Sequence, residues 1–150
     1  MLAIVLLPLA WGCNETSSQW DDARADPGNA ARVALGERVY AQHCAVCHGA
    51  KLEGQLQWRR RLPNGRLPAP PHDESGHTWH HPDSMLFAIT KNGLAPPNAP
   101  AGYESDMPAF AGRLADDEIW AALAYLKSQW TSADVLAARA EMTRNAKENR

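Results

Sequence analysis

The stretch that decides the fold is residues 41–50, Ala-Gln-His-Cys-Ala-Val-Cys-His-Gly-Ala. Cys44 and Cys47 stand three positions apart and His48 follows at once. Positions i and i+3 share one face of a helical turn, so two thiols and an imidazole leave the backbone from a single turn. A structural zinc site would need a second pair of ligands at suitable spacing. The only other cysteine is Cys13, and His77, His80 and His81 lie far along the chain in an unusual order. A redox-active dithiol would want a βαβ context, and no strand pattern occurs on either side of the motif.

The remaining chemistry for Cys-x-x-Cys-His is covalent haem attachment. Each thiol adds to one vinyl group of a ring whose vinyls have a fixed separation, and the following His48 projects its imidazole at the iron. The spacing matches one rigid ligand, so one covalent haem c is expected.

Length and composition agree with a domain built around such a group. The chain has 150 residues, of which 45% are hydrophobic, enough for one domain with tails rather than two domains. The net charge is −2, against the strong basic excess of a general nucleic-acid binder. Three cysteines are too few, and odd in number, for a disulfide framework. The accounting gives two to haem and Cys13 to lipid.

Outward from the motif the chain reads as all-α. Pro27 suits a first helical turn, and Val33, Gly36, Val39 and Tyr40 fall on one face of a helix that feeds into Cys44. Residues 51–79 have no period and carry Pro63, Pro68, Pro70 and Pro71, which forbid a long helix. A short helix over Asp-Ser-Met-Leu-Phe-Ala-Ile-Thr-Lys-Asn (83–92) follows, with Met85, Leu86 and Ile89 as its apolar face and Gly93 as its stop. A second Pro-rich loop runs through 94–110. Asp116, Asp117 and Glu118 suit the first turn of a last helix, whose stripe is Ile119, Leu123, Leu126 and Trp130. Beyond it, 132–150 is polar, with Val135, Leu136 and Met142 as its large apolar residues. Thr131 and Ser132 are expected to restart a polar helix through about Glu148, or the tail to be disordered. It is expected to be a docking or shielding element, helical against a partner or lying loosely along the surface.

From about Ala30 to Trp130 the chain resembles the class I cytochrome c family. The resemblance rests on Gly36 and Tyr40, on Cys44-Ala45-Val46-Cys47-His48-Gly49, on Met107-Pro108-Ala109-Phe110 and on Ile119 to Lys127. It implies first and last helices that cross, with Gly36 and Tyr40 meeting Tyr125, and long Pro-rich loops around the haem. Ala122 departs from the larger residue common there; Leu123 or Trp120 would fill the space. The resemblance also implies Met107 as the sixth iron ligand, and a prolyl carbonyl, of Pro68 or Pro70, accepting the His48 N–H. A thioether is soft and neutral, so it favours Fe(II) and raises the potential. Met85 is the rival ligand, but its position on a helix face suits packing.

Other residues are candidates for the haem edge. Trp58, Arg59 and Arg60, with Arg61, follow the motif closely, and arginines there would neutralise the propionates. Trp79 and His80, within Gly-His-Thr-Trp-His-His-Pro-Asp (76–83), would pack on the ring or bond a propionate; with His77 and His81 they would otherwise bind a metal. His43 is expected to be exposed, and His72 has no assigned role.

Residues 1–13, Met-Leu-Ala-Ile-Val-Leu-Leu-Pro-Leu-Ala-Trp-Gly-Cys, hold an apolar run too short to cross a bilayer and suited to an export signal. Small Gly12, then Cys13, then an abrupt polar stretch resemble a bacterial lipoprotein signal, with Cys13 lipidated. No Lys or Arg precedes the run, and Trp11 is bulky before the cleavage point. The expected organisation is therefore a signal over 1–13, a flexible tether over 14–28, a haem domain over 29–131 and the tail over 132–150. With both axial positions filled, the expected work is single-electron transfer, not catalysis. Its partners would be a membrane or periplasmic donor and an oxidase or reductase, met as a free carrier or inside a larger oxidoreductase complex. The expected place is the periplasmic side of a bacterial membrane, with the chain lipid-anchored there.

Overall fold

A computed structural model describes residues 23–148, and their order is wholly helical apart from one isolated bridge between Ala111 and Leu114. Helix α1 spans Ala30–His43, α2 Ala45–His48, α3 Asp83–Asn92, α4 Asp116–Ser128 and α5 Ala133–Glu148, with a single 3-10 turn at Thr78–His80. None of the described helices is long and apolar enough to cross a membrane.

The first helix begins three residues later than Pro27 suggests. Asn29 is the N-cap, and its Oδ1 accepts from the Arg32 N–H at 3.1 Å, which satisfies one of the amides a helix start leaves open. Of the tether expected over 14–28, residues 14–22 lie outside the described residues, and 23–28 lie against the domain through Arg24 and Ala25. Arg24 lies over the Trp120 ring at 4.2 Å, and Ala25 is fully buried. A small side chain that fits the core and a cation that finds an indole face hold this segment to the domain.

Helices α1 and α4 cross at Gly36. A methyl group there would fall 1.9 Å from the Ala121 carbonyl oxygen and 2.9 Å from Tyr125 Cβ, so only glycine permits this approach. One turn on, Tyr40 packs on Tyr125 with ring centroids 5.5 Å apart, as the helix-crossing expectation has it. The expected apolar stripe is buried at all four positions, Ile119, Leu123 and Leu126 on α4 and Trp130 just past its end at Ser128. It divides between two clusters: one holds Leu123, Leu126, Trp130, Tyr40 and Leu86, the other Ile119, Ala122, Val39, Phe110 and Leu114. Ala122 thus sits in the second cluster, while Leu123 and Trp120 fill the first.

Helix α3 joins this frame through charge as well as packing. Asp83 is 3% exposed and faces two cations, Lys127 from α4 at 2.6 Å and Arg139 from α5. A carboxylate withdrawn from water needs such partners, and losing one typically costs about 3–5 kcal/mol. Arg139 also donates to the carbonyls of Trp79 and His81, and Val135 is buried in the first cluster. Helix α5, expected as a loose or partner-dependent tail, is therefore fastened to the domain. A sparse apolar face concealed this, because an ion pair and a cap join the buried Val135 in the attachment.

That cap is Glu74. Its Oε1 accepts the Thr131 N–H and, at 2.7 Å, the Ser132 N–H just ahead of α5. These backbone amides hold the carboxyl below its ordinary value of 4.5. A depressed carboxyl stabilises the fold above its unfolded value and loses that contribution as it protonates. Protection of the α5 amides against hydrogen exchange should therefore weaken as pH falls below about 4.5. Glu74→Gln should remove this pH dependence while Asp83 and Arg139 still hold the helix.

Candidate haem site

Helix α1 ends at His43 and the chain enters α2 through Cys44, whose N–H bonds back to the Tyr40 carbonyl. The two thiols are unpaired; Cys47 is exposed and Cys44 half-buried. Burial, with a smaller contribution from Cys47, pushes the Cys44 thiol up to about 11, so it is a neutral thiol near pH 7. Val46 between them is 85% exposed. The Tyr40 hydroxyl donates to the Gly49 carbonyl at 2.7 Å, which ties the end of the motif back to the helix crossing.

His48 is buried. Its Nδ1 lies 2.8 Å from the Pro70 carbonyl oxygen. A carbonyl only accepts, so Nδ1 carries the proton and Nε2 keeps its lone pair. Burial lowers the His48 pKa, partly offset by the Pro70 carbonyl, which favours the neutral ring that a metal ligand must be. An N–H anchored to a carbonyl is how a ligating imidazole has its orientation fixed. Of the two prolines suggested by sequence, Pro70 is the partner.

The backbone around Pro70 is built to bring that carbonyl in. Gly54 has φ +67°, and a Cβ there would fall 2.4 Å from Pro71 N and 2.6 Å from the Pro70 carbonyl carbon. Leu52 is buried with φ 67°, a conformation that costs a non-glycine residue energy. Its carbonyl accepts the His72 N–H at 2.8 Å. The Gln55 N–H and the Ala69 carbonyl pair at 2.9 Å. The Pro-rich segment is thus strapped along the loop that follows the motif.

His72 is the residue that sequence reasoning left without a role. Its ring stacks on His48 with centroids 4.0 Å apart at 23°, its Nδ1 lies 2.7 Å from Thr78 Oγ1, and its carbonyl accepts from Trp130 Nε1 at 2.9 Å. Burial first, and then His48 and His77, drive its pKa well below the ordinary value, so it packs as a neutral plate against His48. The Pro-Pro pair before it was the available signal, since it places His72 two residues past the carbonyl that holds His48.

The second methionine-bearing segment lies against the other cluster. Met107 is partly buried beside Val39, Phe110, Ile119 and Leu114. The Phe110 and Ala111 N–H groups donate to the Thr90 and Lys91 carbonyls at the end of α3. Met85 is partly buried on α3, next to the buried Leu86.

The remaining candidates are employed locally. Trp58 stacks on His77 at 5.3 Å, and Arg59 lies over Trp58 at 4.0 Å. Trp79 stacks on His80 at 3.6 Å and donates from Nε1 to the Glu74 carbonyl at 3.2 Å. Arg60 is exposed, and Arg61 donates to the Gly65 carbonyl. His43 is exposed, with its ring edge-on to Phe110. Burial is the main cause lowering the pKa of His77 and His81, yet no group of three or more His, Cys, Asp or Glu able to hold a metal ion occurs among the described residues. The reading of His77, His80 and His81 as a metal site therefore has no geometry behind it: the rings pack on aromatic neighbours. Cys13, the expected lipidation site, lies outside the described residues.

Residues 33–130 match the family model for cytochrome c. The chain belongs to the cytochrome c family. Its all-α cytochrome c fold, with α1 and α4 crossed, positions a Cys-x-x-Cys-His turn, the motif through which the family binds haem c covalently. No curated protein and no solved structure gives a significant match. The donor set suits the group: two free thiols on one turn, a neutral imidazole with Nε2 free, and a thioether among apolar side chains. Within this cytochrome, Gly54→Ala should push Pro70 away from His48. The His48 Nδ1–H resonance should lose its protection from solvent exchange, and stability should fall by about 1–3 kcal/mol, the usual cost of overpacking.

Proposed function

We propose that this cytochrome holds one haem c through Cys44 and Cys47, with His48 and Met107 as axial ligands. In this reading it passes single electrons from a membrane or periplasmic donor to an oxidase or reductase. The observation that carries the reading is the His48–Pro70 hydrogen bond at 2.8 Å, beside two unpaired thiols on the same turn. It reserves Nε2 for iron.

When bound, the haem supplies a one-electron Fe(III)/Fe(II) couple. The chain's own residues decide how it is used. Pro70 keeps the proton on His48 Nδ1, and the stacked His72 limits rotation of the His48 ring. Met107 would offer a neutral, soft sulfur that favours the reduced metal, from a partly buried position against an apolar cluster. Were His48 and Met107 both to hold the iron, no position would be left for a substrate, which argues for a carrier rather than an enzyme. The exposed Val46 between the two cysteines would offer a partner protein a surface beside the attached haem. Export, and a lipid anchor at Cys13, would bring the carrier to the periplasmic face of a membrane, where donor and acceptor complexes sit.

The test is axial. The oxidised protein should show the weak sulfur-to-iron charge-transfer band. Met107→Ala should abolish it and lower the midpoint potential, because a neutral thioether stabilises Fe(II), whereas Met85→Ala should leave both unchanged. A band that survives Met107→Ala and disappears in Met85→Ala would reassign the ligand.

A further inference from the structure

Arg66 stands four residues before Pro70, on a turn that is shaped before it meets anything else. The Leu62 N–H donates to the Arg66 carbonyl at 2.8 Å, and the Gly65 N–H to the Leu62 carbonyl at 2.9 Å. The Arg66 N–H donates to Asn64 Oδ1 at 3.1 Å, and Arg61 Nη1 to the Gly65 carbonyl at 2.6 Å. After the turn, the Ala69 N–H donates to Gln55 Oε1 at 3.0 Å, which fixes the segment to the loop behind the haem motif.

From this rigid base the guanidinium reaches across to the other loop. Arg66 Nη1 pairs with Asp106, the residue directly before Met107, and Arg66 Nε lies 3.5 Å from Glu104. Arg61 adds a second tie, its guanidinium 5.9 Å from the centre of the Tyr103 ring. Beyond Met107, the loop is fastened to α3 by the Phe110 and Ala111 amides. Before Met107, the backbone bonds of the loop are local turns: Asn98 to Ala95, Ala99 to Ala95 and Tyr103 to Pro100. Even the Met107 N–H bonds only to Ser105, two residues away. Such a stretch opens more easily than a packed helix, and a tie from another part of the chain limits that opening.

We propose that Arg66 is a positioning residue for Met107, holding the distal loop in place through Asp106 and Glu104. The segment 66–70 then serves both axial ligands, with Pro70 setting His48 at one end and Arg66 restraining the Met107 loop at the other. This assignment rests on the reading of Met107 as the sixth ligand. An exposed ion pair contributes little to global stability, so the effect belongs in the opening of the distal bond and not in the unfolding midpoint.

The experiment uses the full ferric protein, with free imidazole as a competing ligand and the charge-transfer band as the readout. Arg66→Ala should bind imidazole about 2–5-fold more tightly than the parent, the range expected of an exposed pair, with its thermal midpoint unchanged. Arg66→Lys keeps the charge but not the fork and should fall between the two. Asp106→Asn added to Arg66→Ala should change nothing further. Raising salt should move the parent towards Arg66→Ala, since screening weakens an exposed pair, and should leave the Arg66→Ala variant where it is. Equal imidazole affinities for parent and Arg66→Ala, or a parent indifferent to salt, would overturn the proposal. A parent without the band, or a Met107→Ala variant that keeps it, would overturn the ligand reading itself.

Discussion

Helices α1 and α4 approach so closely at Gly36 that one methyl group there would fall 1.9 Å from the Ala121 carbonyl oxygen. The placement of the haem-binding motif depends on this contact. It sets the direction in which α1 delivers Cys44, and it lets Tyr40 reach both Tyr125 and the Gly49 carbonyl. It also splits the α4 stripe into two apolar clusters, one touching Cys44 and Ala45, the other touching Met107. The Cys44 end of the motif and the Met107 segment thus share one scaffold, and a shift of α4 would be felt at both.

Around this crossing the loops do chemical work with backbone groups. Pro70 offers a carbonyl to His48, Leu52 one to His72, and His72 in turn one to Trp130. Proline residues suit such a role because they restrict the chain and bring no competing N–H. Charge fastens the periphery: Asp83 gathers Lys127 and Arg139, Glu74 takes the amides ahead of α5, and Arg66 pairs with Asp106 and Glu104.

The three longer helices of the haem domain were legible in the sequence because α1 and α4 show an apolar period and α3 a stop at Gly93. The α4 stripe and the Gly93 stop follow from local patterns, whereas the meeting of Gly36 and Tyr40 with Tyr125 was expected only from the resemblance to the cytochrome c family. What stayed hidden were contacts between residues far apart in the chain. His72 on His48, Arg139 on Asp83 and Glu74 at the start of α5 each link segments whose proximity no local pattern encodes. The attachment of residues 24–25 and of α5 stayed hidden for the same reason. Their sparse apolar content suggested weak attachment, whereas Arg24 and Arg139 hold by cation–π and ionic contacts that hydropathy does not register.

The account stands on covalent attachment at one turn. The most direct measurement is the intact mass of the protein purified from a host that attaches c-type haem, compared with that of the Cys44→Ala/Cys47→Ala variant. The account predicts that the parent carries the added mass of one haem, that acid–acetone does not remove it, and that the variant carries none covalently. A parent of bare polypeptide mass, or a double variant that still resists extraction, would contradict it.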